Sequence, residues 1–125
     1  MAAVATAITV NFQVQITNAN YRETIAPGAA VIAQQNPGRY GGVQTILSAS
    51  ITTIVVTGVT TNGWCFLRNL DATNYVTYGY DVAGTLNKSK LLAGEFAWFR
   101  MAAGATLYAQ ADTANVRLDI RLLEN

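Results

Sequence analysis

The stretch "GWCFLRNLDATNYVTYGY", residues 63–80, holds the only cysteine of the chain, one of its two tryptophans, an arginine and three of its tyrosines. Such density fits an active site, a binding face or the middle of a β-sheet. The order of the residues decides among them. "WCFLRNL" and "YVTYGY" are short runs rich in aromatic and β-branched side chains. "DATN" between them has hairpin length, with Asp71 and Asn74 suited to a turn. The stretch therefore reads as two adjoining strands. In the first, Trp64 and Phe66 share one face while Cys65 and Leu67 share the other. Arg68 and Asn69, near the strand end, either cap backbone groups or touch a neighbour.

The same signal runs outward along the chain. "GEFAWFRM", starting at Gly94, places Phe96, Trp98 and Arg100 on one face and Glu95, Ala97, Phe99 and Met101 on the other. Both strands are apolar on both faces, which calls for a second cover from a loop or another subunit. "VQTILSA", "ITTIVVTGV", "TLNKSKLL", "ATLYAQA" and "VRLDIRLL" add further strands, with turn signals at Gly58, "TNG", Gly84 and "DTAN". Short strands about ten residues apart predict an all-β chain. The expected fold is an antiparallel β-sandwich, jelly-roll-like, of about eight short strands in a single domain over residues 1–125.

The two ends alternate most regularly. In "AITVNFQVQIT", residues 7–17, Ile8, Val10, Phe12, Val14 and Ile16 face one way and Thr9, Asn11, Gln13, Gln15 and Thr17 the other. This predicts one half-buried strand with a core on one side. In the last strand Val116, Leu118, Ile120 and Leu122 oppose Arg117, Asp119 and Arg121. Those charges form a solvated face or set register against a neighbouring subunit. Residues 18–42 read as a long loop or arm. "YRETI" suits a short strand, and "AAVIAQQ" suits a helical turn or an extended arm. "NPGRYGG" is turn chemistry in which Pro37 sets its own φ and Arg39 and Tyr40 sit in an exposed loop.

Composition bounds the function. The chain has 125 residues, is 51% hydrophobic and only 12% charged, with fifteen Thr and ten Asn supplying polarity. Ordinary domains are about 25% charged, so the surface lacks the usual electrostatic protection against association. Eight basic and seven acidic residues balance to +1. Without a long basic run, no nucleic-acid footprint is expected. "MAAVATAITV" has neither a basic n-region nor a continuous apolar span, so neither a secretion signal nor a membrane anchor is expected. One cysteine excludes an internal disulfide and suits a reducing cytosol.

Candidate chemistry is sparse. The absence of histidine removes the commonest general base and metal ligand. Cys65, between Trp64 and Phe66, lacks the cationic neighbours of a reactive thiol and reads as a small buried hydrophobe. No pair stands out among Glu23, Asp71, Asp81, Glu95, Asp112, Asp119 and Glu124. Asp71, Asp81 and Asp112 fall in or beside predicted turns, where aspartate caps backbone amides. An enzyme is therefore not expected, and neither is a cofactor or metal. Tyr75, Tyr78 and Tyr80 offer a platform for sugar, although Tyr78 and Tyr80 share a face with Val76 as a core or contact would.

Taken together, "GGVQTI", "GWCFLRNLDATNYVTYG", "LLAGEFAWFRMAAGATLYAQADTANVRL" and "LLEN", spanning roughly residues 40–125, resemble small β-sandwich virion proteins of tailed bacteriophages. The resemblance implies a structural virion protein, a capsid decoration or cement protein that stabilises a phage head through protein–protein contacts. A tail- or fibre-associated carbohydrate-binding module is the alternative. It implies the major capsid protein and further copies of the chain, as a homotrimer, as partners. It also implies a place on the capsid surface after synthesis in the bacterial cytoplasm. The residues expected at such contacts are Tyr21, Arg39, Tyr40, Trp98, Arg117 and Arg121.

Overall fold

A computed structural model of the protein describes residues 6–34, 38–82 and 88–124. The Pro37 turn and the start of the "TLNKSKLL" strand lie outside these residues. Among the described residues there are twelve strands and no helix, and every pairing is antiparallel. Contacts divide the chain into two units, Met1–Asn36 and Pro37–Asn125.

The first unit is a pair of nested hairpins. Strand β1 (Thr6–Val10) pairs with β4 (Ala30–Gln34), and inside them β2 (Val14–Asn18) pairs with β3 (Tyr21–Ile25). The single strand expected over residues 7–17 is thus two strands, separated at residues 11–13. The cause lies on the returning side. Pro27 has no N–H to give a ladder, and Gly28 takes a left-handed φ of 88°. With residues 26–29 unable to pair, the opposite segment has no partner and both ladders stop together. "YRETI" is the expected short strand, while "AAVIAQQ" supplies β4 rather than a helical turn. No described side chain of the unit is buried, so the core expected on one side of this strand is absent.

The second unit is a two-sheet sandwich of eight strands. They are β5 (Arg39–Ile46), β6 (Thr52–Thr53), β7 (Asn62–Asn69), β8 (Val76–Gly79), β9 (Ser89–Leu91), β10 (Phe96–Arg100), β11 (Tyr108–Ala111) and β12 (Val116–Glu124). One sheet has the order β10-β7-β12-β5, the other β6-β11-β8-β9. First pairs with last, second with seventh, third with sixth and fourth with fifth. This is a long eight-strand hairpin rolled over on itself, the jelly-roll arrangement.

Rolling explains where local reading fails. β7 and β8 are not a hairpin, because the chain passes from one sheet to the other at residues 70–75. Asn69, wholly buried, turns this corner. Its Nδ2 donates to the carbonyls of Asn74 (2.8 Å) and Leu91 (3.2 Å), and its Oδ1 accepts from the Asp71 amide at 2.9 Å. Asp71 does cap the turn as expected, accepting the amides of Thr73 (3.0 Å) and Asn74 (2.6 Å) through Oδ2. The 112–115 loop is instead held by Asn115 and Thr113. Asn115 Oδ1 accepts the Ser48 amide at 3.1 Å, and Thr113 Oγ1 donates to Asn74 Oδ1 at 2.9 Å.

Two further expectations change. "GRYGG" is the beginning of β5, not a loop. Gly42 fits there because the Tyr40 ring lies over it, so that a Cβ would stand 2.8 Å from the tyrosine hydroxyl. In "ITTIVVTGV" only Thr52 and Thr53 form a strand. Farther on, the Gln44 side chain takes both backbone groups of Val55 that another strand would have used.

Strict alternation builds the core. Val116, Leu118, Ile120 and Leu122 of β12 are buried, as are Cys65 and Leu67 of β7 and Ile46 of β5. Val76, Leu91, Ala109 and Ala111 meet them from the second sheet. Phe99 of β10 and Tyr78 of β8 stack between the layers, with ring centroids 5.7 Å apart. The hydrophobic effect rewards this burial at about 25 cal/mol per Å² of apolar surface.

Candidate functional site

The inner face of the four-stranded sheet is core; its outer face is unusual. Register places every outward residue. Phe96, Arg68, Asp119 and Val43 form one row across β10, β7, β12 and β5, followed by Trp98, Phe66, Arg121 and Gly41. Arg100 opposes Trp64 and Leu123 opposes Arg39 in the next, while Arg117 opposes Thr45 at the far end. Strand spacing makes the backbone of this face roughly 15 Å wide and 20 Å long.

The rings on it pack against one another. Trp64 and Trp98 stack at 5.2 Å with their planes 8° apart, and Phe66 stacks on Phe96 at 6.1 Å. The Arg100 guanidinium lies 5.3 Å from the Trp64 ring centroid, within cation–π range. Cover is incomplete: Phe96 is 60% exposed. The second cover expected for these strands is therefore supplied partly by the rings themselves. Trp64 Nε1 is shielded from solvent and has no hydrogen-bond partner.

Charge is segregated onto the same face. All five arginines of residues 37–125 (Arg39, Arg68, Arg100, Arg117 and Arg121) point outward here, against the single carboxylate of Asp119. Asp119 meets Arg121 at 3.6 Å. The face carries a net +4 in a chain whose total is +1.

Four of the six residues expected at contacts, Arg39, Trp98, Arg117 and Arg121, come together on this face. Tyr40 points to the opposite side of β5, half-buried against the core, where its hydroxyl accepts from Gln44 Nε2 at 3.1 Å. Tyr21 belongs to the first unit, exposed, and donates its hydroxyl to Glu23. Sequence reasoning did not number Trp64, Phe66, Arg68, Phe96 and Arg100 among them. Their alternation was visible in "WCFLRNL" and "EFAWFR", but which face of each strand looks outward was not.

Elsewhere the chemistry is structural. Burial pushes the Cys65 thiol up to about 12, which leaves no thiolate at neutral pH. A largely apolar pocket between the sheets is lined by residues that include Ile54, Cys65, Leu107 and Ile120, with Asn62 and Thr106 as its polar members and no charged group. Glu124 is nearly buried, and its Oε1 accepts the amides of Thr60 (2.9 Å) and Thr61 (3.3 Å). The Thr60 amide above all holds its carboxyl below the usual range. The tyrosines of "YVTYGY" do not form one platform. Tyr78 packs on Phe99, Tyr80 is about half exposed, and the Lys90 ammonium sits 3.9 Å from the centroid of the Tyr75 ring. Among the described residues no three side chains gather to hold a metal, and no helix is long and apolar enough to cross a membrane.

Comparison with protein-family models, with characterised proteins and with solved structures finds no match to this chain.

Proposed function

We propose that the protein is a structural virion component, a decoration protein that binds the outer surface of a tailed-phage head and acts as a homotrimer without catalysis. The observation that carries this reading is the coreless hairpin unit. Residues 6–34 expose Phe12, Tyr21, Ile25 and Val31, the last 69% accessible, and contain only Arg22 and Glu23 as charged residues. A two-stranded ribbon of this kind is marginal alone in water. Apolar side chains at this exposure, with little charge to keep copies apart, suit a segment that is covered in an assembly. Many repeats of a weak contact over a closed shell hold it firmly.

The fold is compatible by analogy, since jelly rolls occur in viral capsid proteins and in lectins. The sugar-binding alternative rested on the "YVTYGY" tyrosines, which point to different surroundings. The experiment is to prepare heads with and without the protein and to locate it by electron microscopy. Added copies on the shell exterior and a higher disruption temperature are expected. Heads that neither bind it nor gain heat resistance overturn the proposal, and selective binding on a glycan array would move the protein to the adhesion class.

A further inference from the structure

We infer that the outer face of the β10-β7-β12-β5 sheet is a docking surface for a protein partner that presents carboxylates around an apolar centre. The inference does not depend on where the protein resides. A solvated sheet face ordinarily carries neutral polar residues or charges of mixed sign. This one has Trp64, Phe66, Phe96 and Trp98 on one half and five guanidiniums around and beside them. An aromatic centre with an arginine rim is the anatomy of an interface hot spot, where Trp and Arg are enriched.

Charge selects the occupant. Arg39, Arg68 and Arg117 have no ion-pair partner among the described residues, because Asp119 is taken by Arg121. Two copies meeting through this face would oppose +4 with +4, a repulsion that disfavours an isologous contact. Guanidinium forks match carboxylates in a bidentate manner, so an acidic protein surface completes the face. Single-stranded nucleic acid also combines anions with rings. Its bases, however, need separated ring faces to stack on. Here Trp64 and Trp98 lie on each other, as do Phe66 and Phe96.

The test uses the full chain, whose only two tryptophans both lie on this face, so intrinsic fluorescence reports its occupancy. The probes are a twelve-residue peptide of glutamate with interspersed phenylalanine, its lysine counterpart and a twenty-nucleotide oligothymidine. The acidic peptide is expected to shift the tryptophan emission, with a Kd that rises at least fivefold between 50 and 300 mM salt. The triple variant R68E/R117E/R121E is expected to weaken it at least tenfold and to bind the lysine peptide instead. Should that variant not fold, R68Q/R117Q/R121Q decides, with folding checked by circular dichroism. No response to the acidic peptide, or a response unchanged in the folded variants, overturns the inference. Tighter binding of oligothymidine overturns it in favour of nucleic acid.

Discussion

Trp64 and Trp98 occupy neighbouring strands of one sheet, offset diagonally, and their rings lie 5.2 Å apart and within 8° of parallel. Burial of Cys65 and Leu67 on the inner face turns both outward, and antiparallel register brings them together. Such a pair couples by about 0.5–1.5 kcal/mol beyond the area each buries. A double-mutant cycle of W64A and W98A, read by chemical denaturation, is expected to return a coupling in that range. Additive losses would mean that the stack is contact without mutual stabilisation.

The unpartnered Trp64 indole N–H adds an asymmetry. A buried donor without an acceptor costs about 1–3 kcal/mol. W64F removes that donor and keeps a ring, so W64F is expected to cost less than 1 kcal/mol or to stabilise, by order of magnitude from the same penalty. W64A, which removes the ring as well, is expected to lose about 3 kcal/mol. Equal losses in the two variants would show that the N–H contributes nothing unfavourable.

Asn69 makes a different kind of demand. Its side chain satisfies two carbonyls and one amide at the sheet-to-sheet corner. N69L keeps the branched shape but strands these groups, so a loss of about 2–4 kcal/mol is expected, read as a lower denaturation midpoint. A loss below 1 kcal/mol would indicate that water enters the corner and replaces the amide.

Acid sensitivity follows from two carboxylates. Glu124 is depressed chiefly by the Thr60 amide and Asp71 chiefly by the Asn74 amide. Because both folded-state values lie below the unfolded ones, their contribution is complete above the ordinary carboxylate range. It is lost as pH falls through the depressed values. Thermal midpoints are expected to fall below about pH 4, and the fall is expected to be shallower in D71N/E124Q. An identical slope in that variant would assign acid unfolding to other groups.

Cys65 offers a direct reading of core integrity. With its thiol near 12 and its surface 1% exposed, it is expected to resist a disulfide reagent at pH 8 in the native state. Labelling should follow the unfolding transition. Rapid stoichiometric labelling without denaturant would show that the inter-sheet pocket opens freely.

The all-β class and the inner residues of β12 were legible in the sequence, because period-two alternation ties burial to position without reference to partners. The break in the first strand was not, since its cause is Pro27 and Gly28 in the unpaired segment opposite, between β3 and β4. Nor was the sheet-to-sheet corner. "DATN" has hairpin length, and only the carbonyls reached by Asn69, one of them 22 residues away at Leu91, distinguish a corner from a turn. The candidate face was half legible. Each strand revealed its own stripe, but the convergence of arginines from β5, β7, β10 and β12 is a property of the strand order. That order depends on pairings between residues as far apart as Arg39 and Leu123.

The pairing of the first roll strand with the last has a mechanical consequence. The Glu124 amide donates to the Gly38 carbonyl at 2.8 Å, so the two ends of the roll begin side by side and run antiparallel. Their bonds lie across the strands. A pull that separates these ends therefore loads the β5–β12 ladder one rung after another, like a zipper, and never all rungs in shear. Tension applied there peels the roll open at low force, whereas tension along β12 meets the resistance of the whole ladder.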